Sequence, residues 1–166
     1  QKCRTWNTMI NGYFKNGKSD KAFALLGLIP KPNIYTYNTV ISGLAQCGDL
    51  LGARTVFEEM EVRDSVSWNS IITGYVRDGT VGEALELFRE MPVEMRNVAT
   101  LNLIISGLVN DQQIELAMEC FCQMEVKDTV SWIIMVSELA KEGRLAEAHE
   151  LYDQMIQKHP HACNSL

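Results

Sequence analysis

Positive charge is what this chain has least of: 15 Lys and Arg stand against 21 Asp and Glu in 166 residues, a formal net charge of −6. That balance argues against a generic nucleic-acid binder, whose affinity comes mostly from Lys and Arg neutralising phosphates. No uninterrupted apolar run approaches the roughly 20 residues that span a bilayer, so no membrane partner is expected. Cysteine is sparse and odd in number: Cys3, Cys47, Cys120, Cys122 and Cys163 show no paired spacing and make a poor disulfide framework. Cys120 and Cys122, two apart on an expected helix, point to different faces, and a reducing compartment fits best.

Catalytic signatures are also missing. There is no phosphate-binding Gly loop, no Ser/His/Asp set, no carboxylate pair and no His-x-Glu with Cys-x-x-Cys. The expectation is therefore no enzyme and no cofactor. His159, His161 and Cys163 lack the matching half of a zinc site, so no metal is expected, and His149 reads as a solvated outer residue. The chain opens on Gln1 without a targeting stretch, as a segment of a longer protein would, any targeting signal lying outside it.

What is present is a repeat. An aromatic or Leu, usually followed by Asn, an apolar pair and then Gly, recurs at Trp6-Asn7, Tyr37-Asn38, Trp68-Asn69, Leu101-Asn102 and Trp132-Ile133, at intervals of 31, 31, 33 and 31 residues. A fixed period of this size signals a solenoid, whose units stack because none buries its apolar face alone. An apolar fraction of 46% supplies the core for one.

The third copy shows the unit. Trp68, Ile71, Ile72 and Tyr75 follow the i, i+3, i+4, i+7 spacing of one helix face. Asp78-Gly79 breaks the chain, with Gly suited to a left-handed cap. A second helix then carries Ala84, Leu85, Leu87, Phe88 and Met91 inward, and Met91-Pro92 ends it. Each unit reads as a helical hairpin. The first-helix Gly recurs at Gly12, Gly43, Gly74 and Gly107, with Glu138 in the fifth copy; a small residue there lets hairpins approach closely. The turn Gly recurs at Gly17, Gly48, Gly79 and Gly143, with Gln112 in the fourth copy. Ala22, Ala53, Ala84, Ala117 and Ala148 mark the second helix; Leu26, Phe57, Phe88, Phe121 and Tyr152 follow, then Ile29, Met60, Met91, Met124 and Met155. These are core positions; a Met stripe at helical spacing is packing, not a cofactor box.

The stretch from Asp64 through Trp68-Asn69 and Gly74-Tyr75 to Glu83-Ala84-Leu85-Glu86-Leu87-Phe88-Arg89-Glu90-Met91-Pro92 resembles a pentatricopeptide repeat of the plant organellar kind, in its short variant. The resemblance runs from about Cys3 to Met155. It gives repeats at 3–33, 34–64, 65–97, 98–128 and 129–159, with 160–166 a tail or the start of a truncated repeat. The resemblance implies an all-α, α-α superhelix of tandem hairpins, right-handed, whose first helices line an inner groove occupied by single-stranded RNA. Each repeat would read one base. The main reader is the residue after the first-helix aromatic, and the second is the last residue of the loop before the next repeat.

Carried over residue by residue, the pairs are Asn7 with Asn33, Asn38 with Asp64, Asn69 with Asn97, and Asn102 with Asp128; the fifth copy has Ile133 and no partner. A side-chain amide both donates and accepts, which suits the Watson–Crick edge of an unpaired base. Asp only accepts, which favours a base whose ring nitrogen carries hydrogen, as in uracil but not cytosine. The resemblance agrees: Asn with Asp resembles a uracil reader, Asn with Asn a pyrimidine reader. The expected core is pyrimidine-U-pyrimidine-U and then an unread base. Base-packing positions are Arg4, Tyr35, Val66, Ala99 and Thr129, and phosphate-contacting positions are Lys15, Arg77 and Lys141. Two bland accounts compete: Asn near a helix start is a cap, and a basic residue near a helix end complements the dipole.

Many acidic residues, among them Glu58, Glu83, Glu86, Glu115, Glu119, Glu147 and Glu150, fall on second helices, so the net sign would describe the convex back rather than the groove. The resemblance further implies a mitochondrion or plastid, the former favoured, and a role in C-to-U editing, processing or stabilisation of a transcript, with the enzyme supplied by another domain or protein. Exposed terminal hairpins would permit self-association. The rival expectation is a tetratricopeptide-like scaffold that holds a peptide.

Overall fold

The structure, a computed structural model, describes residues 2–158, with side chains from residue 5 onward. Cys3, Arg4, His159, His161, Cys163 and the tail at 160–166 therefore lie outside the residues whose side chains are described. The described residues form ten α-helices: α1 Lys2–Lys15, α2 Ser19–Leu28, α3 Ile34–Gln46, α4 Leu50–Glu58, α5 Ser65–Asp78, α6 Val81–Glu90, α7 Val98–Asn110, α8 Ile114–Gln123, α9 Thr129–Lys141 and α10 Leu145–Lys158. One short 3-10 turn, Val93–Met95, follows α6. The protein is all-α, built from tandem helical hairpins, and no described helix is long and apolar enough to cross a membrane. The chain divides into two compact units, 1–95 and 96–166.

In each hairpin the turn is fixed by one residue in the left-handed region: Gly17, Gly48, Gly79 and Gly143 have φ of 67°, 80°, 85° and 76°. Gln112 takes the same conformation, φ 61°, where the fourth copy lacks the glycine. In unit 1 the bonds Lys18 N to Tyr13 O, Asp49 N to Leu44 O and Thr80 N to Tyr75 O close the ends of α1, α3 and α5 at 2.9, 3.0 and 3.1 Å. Six-to-one bonds of this kind satisfy the carbonyls that a helix end orphans.

Unit 1 packs α1 on α3 and α3 on α5 as one layer, while α2 and α4 each wedge against the next first helix. The second-helix alanines Ala22, Ala53 and Ala84 are fully buried. Phe57 on α4 meets Trp68 on α5 edge to face, centroids 4.8 Å apart at 74°. Unit 2 repeats the device: Phe121 on α8 meets Trp132 on α9 at 5.0 Å and 80°. Such pairs add about 0.5–1.5 kcal/mol beyond the area they bury. A cation then closes each of those second helices: Arg63 lies 4.7 Å over the Phe57 ring and donates to Phe57 O, and Lys127 lies 5.1 Å over Phe121 and donates to Met124 O.

The first-helix glycines differ. A Cβ on Gly43 would overlap the Phe14 ring of α1, and one on Gly74 would stand 2.7 Å from the Ala45 Cβ of α3. At Gly12 nothing lies within 4 Å, because among the described residues no helix packs on that side of α1. Close approach is therefore the reason for glycine at Gly43 and Gly74 and not at Gly12.

Candidate nucleic-acid groove

The residue before each first helix from α3 onward is an N-cap. Asn33, Asp64, Asn97 and Asp128 each accept, through Oδ1, the main-chain N–H three residues on: Thr36, Ser67, Thr100 and Ser131, at 2.9, 2.8, 2.9 and 2.8 Å. The side chain at that third position returns to the same oxygen, Thr36 Oγ1 at 2.9 Å, Ser67 Oγ at 2.9 Å, Thr100 Oγ1 at 3.1 Å and Ser131 Oγ at 3.0 Å. Capping thus belongs to the loop residue of each pair. Asn38, Asn69 and Asn102 stand one turn further in, within the helices rather than at the N-cap.

Two of the four pairs come together within a unit. Asn38 Nδ2 donates to Asp64 Oδ1 at 3.1 Å, and Asn102 Nδ2 donates to Asp128 Oδ1 at 3.0 Å. Both bonds bridge a sequence separation of 26 residues and join one first helix to the cap of the next. Each amide is thereby turned with its donor side toward the carboxylate. The opposite oxygens, Asn38 Oδ1 and Asn102 Oδ1, are buried and accept nothing. Asn7, 7% exposed on α1, also has an unpartnered buried Oδ1. Buried amide oxygens without partners cost stability, so their recurrence at one register position calls for a role. Asn69 lies on α5 of unit 1, and Asn97 caps α7 of unit 2.

Burial pushes the Asp64 carboxyl up, but the Ser67 main chain and hydroxyl, the Asn38 amide and the Val66 main chain outweigh it and hold it below the usual carboxylate range. Asp128 behaves alike: burial raises it, and bonds from the Ser131 main chain, Asn102 and the Ser131 hydroxyl bring it lower. Both are charged acceptors at neutral pH.

In unit 1 these groups open on a groove of about 460 Å³ flanked by Tyr35 and Val66, with Asn38 and Asp64 in its wall. Tyr35 is 66% exposed and Val66 56%, so two apolar faces stand free on either side of the amide–carboxylate pair. Asn7, Lys15 and Tyr35 share the neighbouring stretch, and Val66, Asn69 and Arg77 the next. Ala99 is exposed and Thr129 half-buried at the starts of α7 and α9. Lys15, Arg77 and Lys141 are all exposed, and Lys141 also pairs with Glu138 at 2.9 Å. Glu138, at the first-helix Gly position, is thus a surface partner of the cation expected to meet phosphate. His149 is exposed on α10, 3.8 Å from Asp153.

Charge divides between the two helix sets. First helices carry five basic residues (Lys2, Arg4, Lys15, Arg77, Lys141) and two acidic ones (Asp78, Glu138), a balance of +3. Second helices carry four basic and ten acidic residues, a balance of −6. The second helices carry the largest share of the negative charge, and the loops, Asp64 and Asp128 among them, carry the remaining −3.

Models of the PPR repeat match residues 4–32, 30–61, 66–94, 99–128 and 130–159. The chain belongs to the PPR repeat family. Among Arabidopsis thaliana proteins, a chloroplastic pentatricopeptide repeat-containing protein is 29% identical over 140 residues, 81% of this chain and 26% of that protein. A mitochondrial one is 31% identical over 125 residues, 52% of this chain and 12% of that protein. This PPR chain therefore spans about a quarter or less of those relatives. The crystal structure of the maize pentatricopeptide repeat protein PPR10 superposes with a TM-score of 0.75 at 22% identity, covering 96% of this chain and 25% of that one. The same maize protein in complex with an 18-nt psaJ RNA element gives 0.69 at 24% identity, covering 88% and 24%.

Proposed function

We propose that this PPR segment binds single-stranded RNA along its first helices, one base to a repeat, in the order pyrimidine-U-pyrimidine-U. The observation that carries the reading is the pair of matched bridges, Asn38 to Asp64 and Asn102 to Asp128, set in equivalent places of two repeats. With one Nδ2 hydrogen given to the carboxylate, the second can meet a base carbonyl. The carboxylate supplies the acceptor that uracil N3–H asks for and cytosine N3 repels. Tyr35 and Val66 flank that edge as stacking and packing faces. At Asn33 and Asn97 the neutral amide lifts the demand for a ring N–H, so either pyrimidine is accepted. Ile133 offers no hydrogen bond, so the fifth base goes unread.

The maize neighbour's RNA complex supports the class of ligand, and the names of the relatives support a plant plastid or mitochondrion as the site of action. Within a longer protein the segment would mark a transcript for editing, processing or stabilisation, with chemistry done by another domain or partner. The test is binding of fluorescent 12-mers at fixed salt. A U/C-rich strand should bind tighter than an A-rich one; equal or absent binding would favour a peptide-holding scaffold.

A further inference from the structure

The wall of the groove contains a residue type that base reading leaves unused: the hydroxyl three residues after each cap. Thr36, Ser67, Thr100 and Ser131 are 1%, 0%, 1% and 0% exposed, the deepest polar side chains described. Helix capping accounts for only part of their bonding. The cap oxygen is already engaged by the main-chain N–H at that position. In a capping box the third residue serves by reaching back to the cap's own N–H. Ser67 does so, accepting from Asp64 N at 3.2 Å. Ser131 donates instead to Asp128 O at 2.8 Å or Oδ1 at 3.0 Å. What the two serines share is donation to Oδ1, the very oxygen that receives the reader amide.

We infer that Ser67 and Ser131 are positioning residues for base selectivity, each hydroxyl locking the aspartate oxygen that orients Asn38 or Asn102. One main-chain bond leaves a carboxylate free to swing about it. A second donor from a different direction removes that freedom and keeps Oδ1 facing the amide. Ser67 and Ser131 are fully buried, so no water takes the hydroxyl's place, and Oδ1 is left with the main-chain N–H and the amide alone. The side chain touches no base; it acts through the Asp and then the Asn. The inference rests on the RNA reading proposed above.

The experiment compares the unmutated protein with Ser67→Ala and Ser67→Thr, the latter being the residue type found at Thr36 and Thr100. Competing 12-mers differ only by U or C at the base met by repeat 2. The first control is the unmutated protein: if it does not prefer U, the RNA reading fails by itself. If it does, Ser67→Ala should lose about fivefold of that preference, the worth of one net hydrogen bond. Preference at the base met by repeat 4 should be untouched, and Ser67→Thr should restore the lost part. A helix-capping role alone would lower the melting temperature without moving the U-to-C ratio, and that result overturns the inference. An RNA-free arm stands whichever way binding falls: Asn38 side-chain amide protons should exchange about fivefold faster in Ser67→Ala, and unchanged exchange also overturns it. If Ser67→Ala does not fold, Ser131→Ala read at repeat 4 and Asn102 gives the same decision in the other unit.

Discussion

Repeat 2 and repeat 1 share a reader and differ in a cap, and the contrast shows how one atom changes what a repeat can do. At Asp64 one oxygen holds the helix start, the Ser67 hydroxyl and the Asn38 amide together. At Asn33 the corresponding oxygen holds Thr36 through two bonds. A carboxylate gathers three donors and stays charged; an amide caps equally well but brings no charge to the groove. Capping keeps the fold constant while the choice between Asn and Asp is free to carry selectivity.

The largest expected effect comes from the reader itself. Asn38→Thr with Asp64 kept should move that repeat's preference from U toward G, a change of about tenfold or more in the ratio. Unaltered selectivity in a base-substitution titration would mean the assigned register is wrong.

Next is the swap that turns repeat 2 into a copy of repeat 1. Asp64→Asn should admit C as readily as U there. Stability should stay within about 0.5 kcal/mol, since Asn and Asp cap alike. Asp64→Ala, by contrast, should cost about 1 kcal/mol in thermal or urea unfolding.

Acid offers a third handle on the same contrast. The folded carboxyls of Asp64 and Asp128 lie below their ordinary values, so their stabilisation is present above the unfolded pKa and fades as pH falls through the folded one. Selectivity at repeats 2 and 4 should fade over that acid range, while repeat 1, with an amide cap, should keep its own. A pH series of U-to-C competition decides it.

The first-helix glycines give a smaller effect, with opposite signs. Gly74→Ala forces a methyl against Ala45 and should destabilise by about 1–2 kcal/mol despite the gain in helix propensity. Gly12→Ala meets nothing and should stabilise by up to about 1 kcal/mol. Matching melting shifts would show that close approach does not decide the residue. Smallest of all, Lys15→Ala should reduce the salt slope of RNA binding by about 0.7, and Lys141→Ala by less because Glu138 already holds that charge.

Much of this was legible in the sequence because repetition averages out local ambiguity. The alanines, the Met stripe and the Phe positions as far as Phe121 occupy the core as the period implies, Tyr152 on the last helix being only half-buried, and the turn glycines take the left-handed conformation. Gln112 shows the backbone demand outlasting the residue that usually meets it. The 33-residue interval appears as the added turn at Val93–Met95, although its length alone gave no sign that the compact units divide beside it.

The site was legible as a set of positions but not as a network. Capping could be suspected from Asn near a helix start, yet helix phase places the caps at Asn33, Asp64, Asn97 and Asp128 and the proposed readers a turn later. The hydroxyls at Thr36, Ser67, Thr100 and Ser131 were in plain sight in every copy from the second onward. Only their bonds to the cap oxygen distinguish them from ordinary small residues. The sequence reading did not foresee that Glu138, at a position that is otherwise glycine, pairs with the exposed Lys141.

The most direct test is a single-base scan of a pyrimidine-U-pyrimidine-U core in A-rich flanks at fixed salt. Exchanging U for C should weaken binding at the second and fourth positions and leave the first and third nearly unchanged. Equal sensitivity at all four, or at none, would contradict the account.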